Sequence, residues 1–478
     1  MSSRKLRHVL IASFSTLALT VAAVPAAGAL SSLGSSSSGL DWFSSSPGVE
    51  APQPTASAPK NIIYLIGDGM GYDHVAAANF YQTGDSRYQV EGPAGSELAQ
   101  IDAPAVQKFE GDDWNELGMT SFQHGNSYDG KAAWSDHNYV NLDTTDSAAA
   151  GTAMATGVKT VNGMLGVDPN NAAQENTSER AKDNEKAAGV VSSVPFSHAT
   201  PAAWAVHTES RNDYQLIADQ MINSELDVVF GAGNPHFDDN AQRIDTPDYK
   251  YISEGSFNKL ANGETDWAYV EEDVDFEALA AGKVEDKDYF GIAQAGSTLQ
   301  QGRAGESVEP YDVPFNDVVD LETMTLGALN VLSQDEDGFH LMVEGGAIDW
   351  AGHANDIARD IEETEAFIDA ANAVIDWVET NSSWEETLVI VTADHETGYL
   401  SAAGEDPDWK AMTGEAGKAP NHAYYSGNHT NELVPFYFKG AGSEDILAAT
   451  TGTDPVRGNY VDNVTVAQLT LNKWWARD

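Results

Sequence analysis

Short apolar runs rich in β-branched residues recur along the chain, at 61–66, 189–194, 226–230, 339–343, 387–391 and 433–438. Several are continuously apolar, which predicts strands buried on both faces rather than half-solvated ones. Between the last three, the segment 355–380 sets Ile357, Ile361, Ile368, Ala371, Ile375 and Val378 at helical spacing, with Asp and Glu on the opposite face. That is the pattern of an amphipathic helix. Strands alternating with helices predict an α/β fold: a three-layer sandwich in which helices flank a large, mostly parallel central sheet, with ligands bound at the carboxyl ends of the strands. One folded unit is expected over 60–478. Within it, 234–314 is acidic, rich in Gly, Asp and Tyr and weakly periodic, and reads as surface insertion.

The residues before 60 follow a different pattern. Arg4, Lys5 and Arg7 precede an apolar stretch over 9–24, and Ala27-Gly28-Ala29 supplies small residues for cleavage. This predicts a signal peptide over 1–29 and a secreted, periplasmic or extracellular protein. Ser13, Ser15, Thr16 and Thr20 interrupt the apolar stretch, which argues against a membrane anchor. Residues 30–59 are dominated by Ser, Gly and Pro and read as a linker.

Charge narrows the partners. Asp and Glu number 74 against 25 Lys and Arg, a formal net charge of −49. Such a surface repels nucleic acid and anionic lipid, so neither is expected as a partner. With 41% hydrophobic residues and 11 Trp the chain is not a disordered acidic tail. The expectation is a folded protein whose hydrated carboxylate surface suits a salt-rich medium, where counterions screen the self-repulsion. The chain has no Cys, so neither disulfides nor a thiolate metal site is open to it.

The chemistry-bearing residues fall at the predicted strand ends. Asp68 follows the first strand inside GDGMG at 67–71, Glu344 follows the strand at 339–343, and Asp394 and His395 follow the strand at 387–391. Asp349 and His353 are four apart, so one helical turn puts them on a common face. His429 precedes the last strand. Imidazole and carboxylate together are the ligand set of a catalytic Zn²⁺ site, and several such clusters at one sheet edge predict a metal centre. Ser147, in TTDSAAAG at 144–151, opens an Ala-rich segment. Thr144, Thr145, Asp146 and Ser147 are all competent N-caps, and a hydroxyl at a helix N-terminus also lies in a field that favours its alkoxide. Arg211 has the planar fork that grips two phosphate oxygens, or it forms an ordinary surface ion pair. His198 and Thr200 stand near it in the same stretch. His207 has an apolar neighbourhood and is expected in the core or behind the ligands, and His422 is left unassigned. There is no GxGxxG and no P-loop.

Taken together, GDGMG, TDSA, ATPAA followed by Arg, EGxxID with His four further on, and ADHETG resemble the motifs of the bacterial alkaline phosphatases, in the same order from Asn61 to the C-terminus. The resemblance implies hydrolysis of phosphate monoesters at alkaline pH by a catalytic domain over 60–478. It implies two Zn²⁺ and one Mg²⁺: Asp349, His353 and His429 on the first zinc, Asp394, His395 and Asp68 on the second, and Asp68, Glu344 and Thr200 on magnesium. Ser147 matches the nucleophile that forms a phosphoserine and Arg211 the phosphate-binding arginine. A homodimer and inorganic phosphate as product are implied likewise. Two positions depart from the best-known enteric form: His198 stands for an aspartate near the magnesium and Trp350 for a lysine, which removes a water-mediated phosphate contact. The alternatives are a phosphodiesterase of the same superfamily and an exported non-catalytic binder of metal or phosphate. The second has no use for Ser147.

Overall fold

The computed structural model describes residues 58–306 and 308–477. The predicted signal peptide, and the linker up to residue 57, lie outside them. Fifteen strands follow in chain order: β1 (Asn61–Gly67), β2 (Asn115–Thr120), β3 (Ala187–Pro195), β4 (Val228–Ala232), β5 (Ala268–Val270), β6 (Tyr289–Ile292), β7 (Phe339–Gly345), β8 (Thr387–Thr392), the two-residue β9 (Glu396–Thr397), β10 (Leu400–Ser401), β11 (Ala423–Tyr424) and β12 (His429–Thr430), then β13 (Val434–Gly440), β14 (Gly452–Asp454) and β15 (Gly458–Asp462). Eleven of them form one sheet, ordered β14-β15-β2-β13-β8-β1-β7-β3-β4-β6-β5.

All six predicted strands are in this sheet. β1, β3, β4, β7 and β8, mostly apolar and buried throughout, form its parallel centre, as expected of strands covered on both faces. β13 differs in direction: it is antiparallel to both β8 and β2. The segment 234–314 is more than insertion. β5 and β6 extend the sheet from β4, and Phe276, Phe290 and Ile292 are fully buried. These strands are three and four residues long, too short for periodicity to reveal.

Alternation along β7 shows the two helical layers. Phe339 meets the ring of Trp377, on the helix Ile357–Asn381, at 5.9 Å. Its neighbour His340 bonds Thr177 Oγ1, on the helix Thr177–Asp183, at 3.1 Å. Successive side chains of a strand point to opposite faces, so these helices cover opposite sides of the sheet. The long helix begins where Asp356 caps it, accepting from Arg359 N–H at 3.2 Å. No helix among the described residues is long and apolar enough to cross a membrane.

Register then sets the site. Gly67 lies opposite Gly345, and Ile66 opposite both Glu344 and Thr392. β1, β7 and β8 therefore end level, and the chain delivers Asp68, Glu344 and Asp394 to one edge at the carboxyl ends of three adjacent strands.

Candidate metal centre and nucleophile

Gly69 has φ +74, and a Cβ on it would stand 2.7 Å from Thr397 Oγ1 and 2.8 Å from the Asp349 Cα. Only glycine fits this turn, which lets the backbone after Asp68 pass against the helix Ala347–Ala354. Gly69 N–H donates to Asp394 Oδ1 at 3.1 Å, tying the end of β1 to the end of β8.

Two sets of ligand atoms converge here. The outer set is Asp349, His353 and His429. His353 Nδ1 bonds the Gly427 carbonyl and His429 Nδ1 the Thr145 carbonyl, each at 2.8 Å. A carbonyl only accepts, so both rings carry their proton on Nδ1 and turn the lone pair of Nε2 inward. The two Nε2 atoms stand 3.1 Å apart, and lie 3.4 and 3.2 Å from Asp349 Oδ1. Three electron-pair donors aimed at one another need a cation among them. Without a metal the centre takes up a proton: although burial works against it, the Asp349 carboxylate pushes His429 up to about 9. Burial would raise Asp349, but His429, His353 and His395 hold it well below the carboxylate range.

The inner set is Asp68, Asp394, His395 and Glu344, all fully buried. His395 Nε2 lies 3.5 Å from Asp68 Oδ1 and 3.2 Å from Asp394 Oδ2. Asp349 belongs to this set too, its ligand atom falling within 4.8 Å of those of Asp68 and His395. Both Asp68 oxygens, Asp394 Oδ2, Glu344 Oε1 and Thr200 Oγ1 are buried with no hydrogen-bond partner. Burial, then the Asp394, Asp349 and Glu344 carboxylates, push Asp68 well above its ordinary range. Burial raises Asp394 to about 6, and raises Glu344 to about 7 against the Ser192 hydroxyl that donates to it. Unpartnered carboxylates at this depth are costly unless a cation ligates them. The donor set therefore fits divalent metals, which supply the charge it lacks.

Ser147 is the first residue of the helix Ser147–Thr156. Asp146 serves as the cap, accepting from Ala149 N–H at 2.9 Å, so the Ser147 hydroxyl is not spent on capping. Ser147 Oγ lies 3.2 Å from His395 Nε2. The same Asp146 accepts from the Arg211 guanidinium at 3.1 Å, which holds Arg211 beside Ser147. A cavity of about 710 Å³ opens over them, lined among others by Ser147, Arg211, Asp349, His353, His429, His198 and Trp350. His198 is buried and held down to about 3 by that burial and by Arg211.

The structure thus brings the predicted residues to one sheet edge and its cavity. His207 is elsewhere, half-buried and bonded to Glu179 at 2.8 Å, in neither the core nor the site. His422 bonds the Pro420 carbonyl and takes no part. Thr397 was not foreseen: its hydroxyl donates to Asp349 Oδ1 at 2.6 Å and lies 3.3 Å from His395 Nδ1, touching both ligand sets. It stands two residues after His395 in an extended segment, and that spacing is the signal that places both on one side.

The sequence model of the alkaline phosphatase family matches residues 59–433. Alkaline phosphatase 4 of Bacillus subtilis is 31% identical over 360 residues, which cover 74% of this chain and 65% of that protein, so the chain spans just under two thirds of its length. The alkaline phosphatase of Escherichia coli is 30% identical over 383 residues, 74% of this chain and 72% of that protein. The solved alkaline phosphatase of the Antarctic bacterium TAB5 shares the fold, with a TM-score of 0.58 and 24% identity over 88% of this chain and 99% of that one. The family match begins just before β1, ends just before β13 and takes in every residue of both ligand sets, Ser147 and Arg211: the chain belongs to the alkaline phosphatase family.

Proposed function

We propose that this chain hydrolyses phosphate monoesters at alkaline pH, with Ser147 as nucleophile. The observation that carries the reading is the Ser147 hydroxyl, free of capping, which lines the cavity and lies 3.2 Å from Nε2 of the buried His395 behind it. Arg211, braced by Asp146, grips two oxygens of the phosphoryl group. Ser147 Oγ attacks phosphorus in line and the alcohol departs, leaving a phosphoserine. Water then attacks from the vacated side, breaks the Ser147 Oγ–P bond and releases inorganic phosphate. Asp349, His353 and His429 would hold one Zn²⁺, Asp68, Asp394 and His395 a second, and Asp68, Glu344 and Thr200 an Mg²⁺. Bound there, the ions supply Lewis acidity, lowering the pKa of the serine hydroxyl and offsetting charge on the attacking and leaving oxygens. A substituted form of the TAB5 enzyme binds Mg at a site designated M3, in keeping with a third position of that kind.

Phosphate release from a chromogenic aryl phosphate tests this. Chelation is expected to abolish turnover, and Zn²⁺ with Mg²⁺ to restore it. Ser147→Ala should lose about 10³-fold or more, because the covalent route is gone. Undiminished turnover after either treatment overturns the reading.

We also infer export, a homodimer, and phosphate scavenging outside the cytoplasm. The pattern of residues 4–29 supports export, and family resemblance supports the dimer. A mature protein beginning at Leu30, with the sedimentation mass of two chains, is the expected result; an uncleaved monomer defeats both.

A further inference from the structure

The cavity is far larger than a phosphoryl group, and the reaction above uses only its inner end. Trp350 follows Asp349 on the helix Ala347–Ala354, so its indole leaves the helix about 100° round from the metal-ligand candidate and lines the outer wall. It is half-buried. His198 stands edge-on to it, ring centroids 5.7 Å apart at 66°. Tyr214 stacks on His198 at 13° and 6.1 Å, and Tyr251 crosses Tyr214 at 5.1 Å. Tyr251 is buried and its carbonyl takes the Ser197 hydroxyl at 2.8 Å, which anchors the row in the fold. Each ring is thus backed by the next.

The lining itself holds little positive charge. Arg211 is the one Lys or Arg among the lining residues, and Asp146 already pairs with it. The other rim side chains are neutral, such as Asn141, Thr144, Asn162 and Asn428. A leaving group with negative charges of its own would meet no second Lys or Arg among the lining residues, on a chain of net charge −49; Lys250 stands behind the wall, over the Tyr214 and Tyr251 rings at 5.8 and 4.5 Å.

We propose that Trp350, braced by His198, is the leaving-group platform of this site and gives it a preference for phosphate monoesters of flat, uncharged alcohols. The inference rests on the phosphatase reading and narrows it. Ring stacking contributes selectively when the partner is aromatic, which an aliphatic chain of similar size is not.

Naphthylmethyl phosphate and hexyl phosphate are both esters of primary alcohols, so their alkoxides leave with similar difficulty and the comparison isolates the wall. In kcat/KM, which does not register phosphate release, the native enzyme should favour the aromatic ester about tenfold. Trp350→Ala and Trp350→Leu should erase that ratio, and Trp350→Phe keep most of it. The inhibition constant of inorganic phosphate should stay put in all three, reporting an intact phosphoryl end. Equal losses on both esters, or a ratio that survives Trp350→Leu, overturn the platform. A carboxylate added to the naphthalene ring should lower kcat/KM severalfold at low salt; no change removes the charge preference. If neither ester turns over, the phosphatase reading has failed. Calorimetric binding of naphthylmethylphosphonate against hexylphosphonate then decides the platform separately, equal affinities ending it.

Discussion

The two ligand sets solve opposite problems. In the outer one the His353 side chain is 39% exposed, and the Gly427 and Thr145 carbonyls fix how both imidazoles point. The Asp349 carboxylate also raises His429, so a proton between them can offset the repulsion of the donors when no ion does. In the inner one Asp68, Glu344 and Asp394 are wholly buried and lack partners at several oxygens; burial raises all three, and Asp394 and Glu344 push Asp68 further up. Here the fold has put charge where only cations or protons can answer it. The outer set is preorganised by backbone and open to the cavity, as a site that exchanges ligands must be; the inner set is held together by what it binds. Thr397 ties them, donating to Asp349 while lying beside His395.

The largest effect that can break this contrast is on stability. Stripping divalent ions should cost about 4 kcal/mol for each ion normally present at about 1,000 times its Kd. The loss should also depend on pH. Glu344 and Asp394 are raised in the metal-free fold to about 7 and about 6, from ordinary values of 4.5 and 3.8. Between their ordinary and raised values the native state holds protons that the unfolded chain has released, so stability falls as pH rises through that window. Metal binding displaces those protons and should abolish the slope. Asp68→Asn removes a buried carboxyl that its neighbours make hard to ionise, so at alkaline pH, where that carboxyl must lose its proton, the stripped variant should be more stable than the stripped native protein and gain less from added Zn²⁺ and Mg²⁺. Denaturant melts of both proteins, with and without chelator, give four midpoints. A stripped Asp68→Asn that is the less stable of the two would show that the inner carboxylates are supported by the fold alone.

The same contrast explains what the chain disclosed and what it withheld. Asp68, Glu344 and Asp394 are legible because each follows a mostly apolar run, and level strand ends bring them together. Asp349 and His353 are legible from helical spacing. The partners of the outer imidazoles are not, because Thr145 and Gly427 contribute backbone carbonyls, which any residue carries. Ser192 donates to Glu344 because β3 and β7 pair in register, a fact of tertiary structure that neither segment contains alone. The double use of Asp146, capping the helix of Ser147 while bracing Arg211, needs two elements 65 residues apart to meet. β13 reads as a strand but not as an antiparallel one, since direction depends on connections rather than on apolar content.

Monovalent salt sharpens the comparison at smaller amplitude. The formal charge of −49 lies mostly on carboxylates in contact with solvent, whose mutual repulsion is screened as the Debye length falls from about 10 Å at 0.1 M to about 3 Å at 1 M. The inner carboxylates are out of reach of such screening, for they are fully buried among protein atoms. Sodium chloride should therefore raise the melting temperature of native and chelated protein in parallel, without closing the gap that divalent ions close. A melting temperature insensitive to salt refutes the reading of the surface as salt-adapted. A gap that sodium chloride does close places the repulsion between the inner carboxylates within reach of solvent, and with it dissolves the distinction between the two ligand sets.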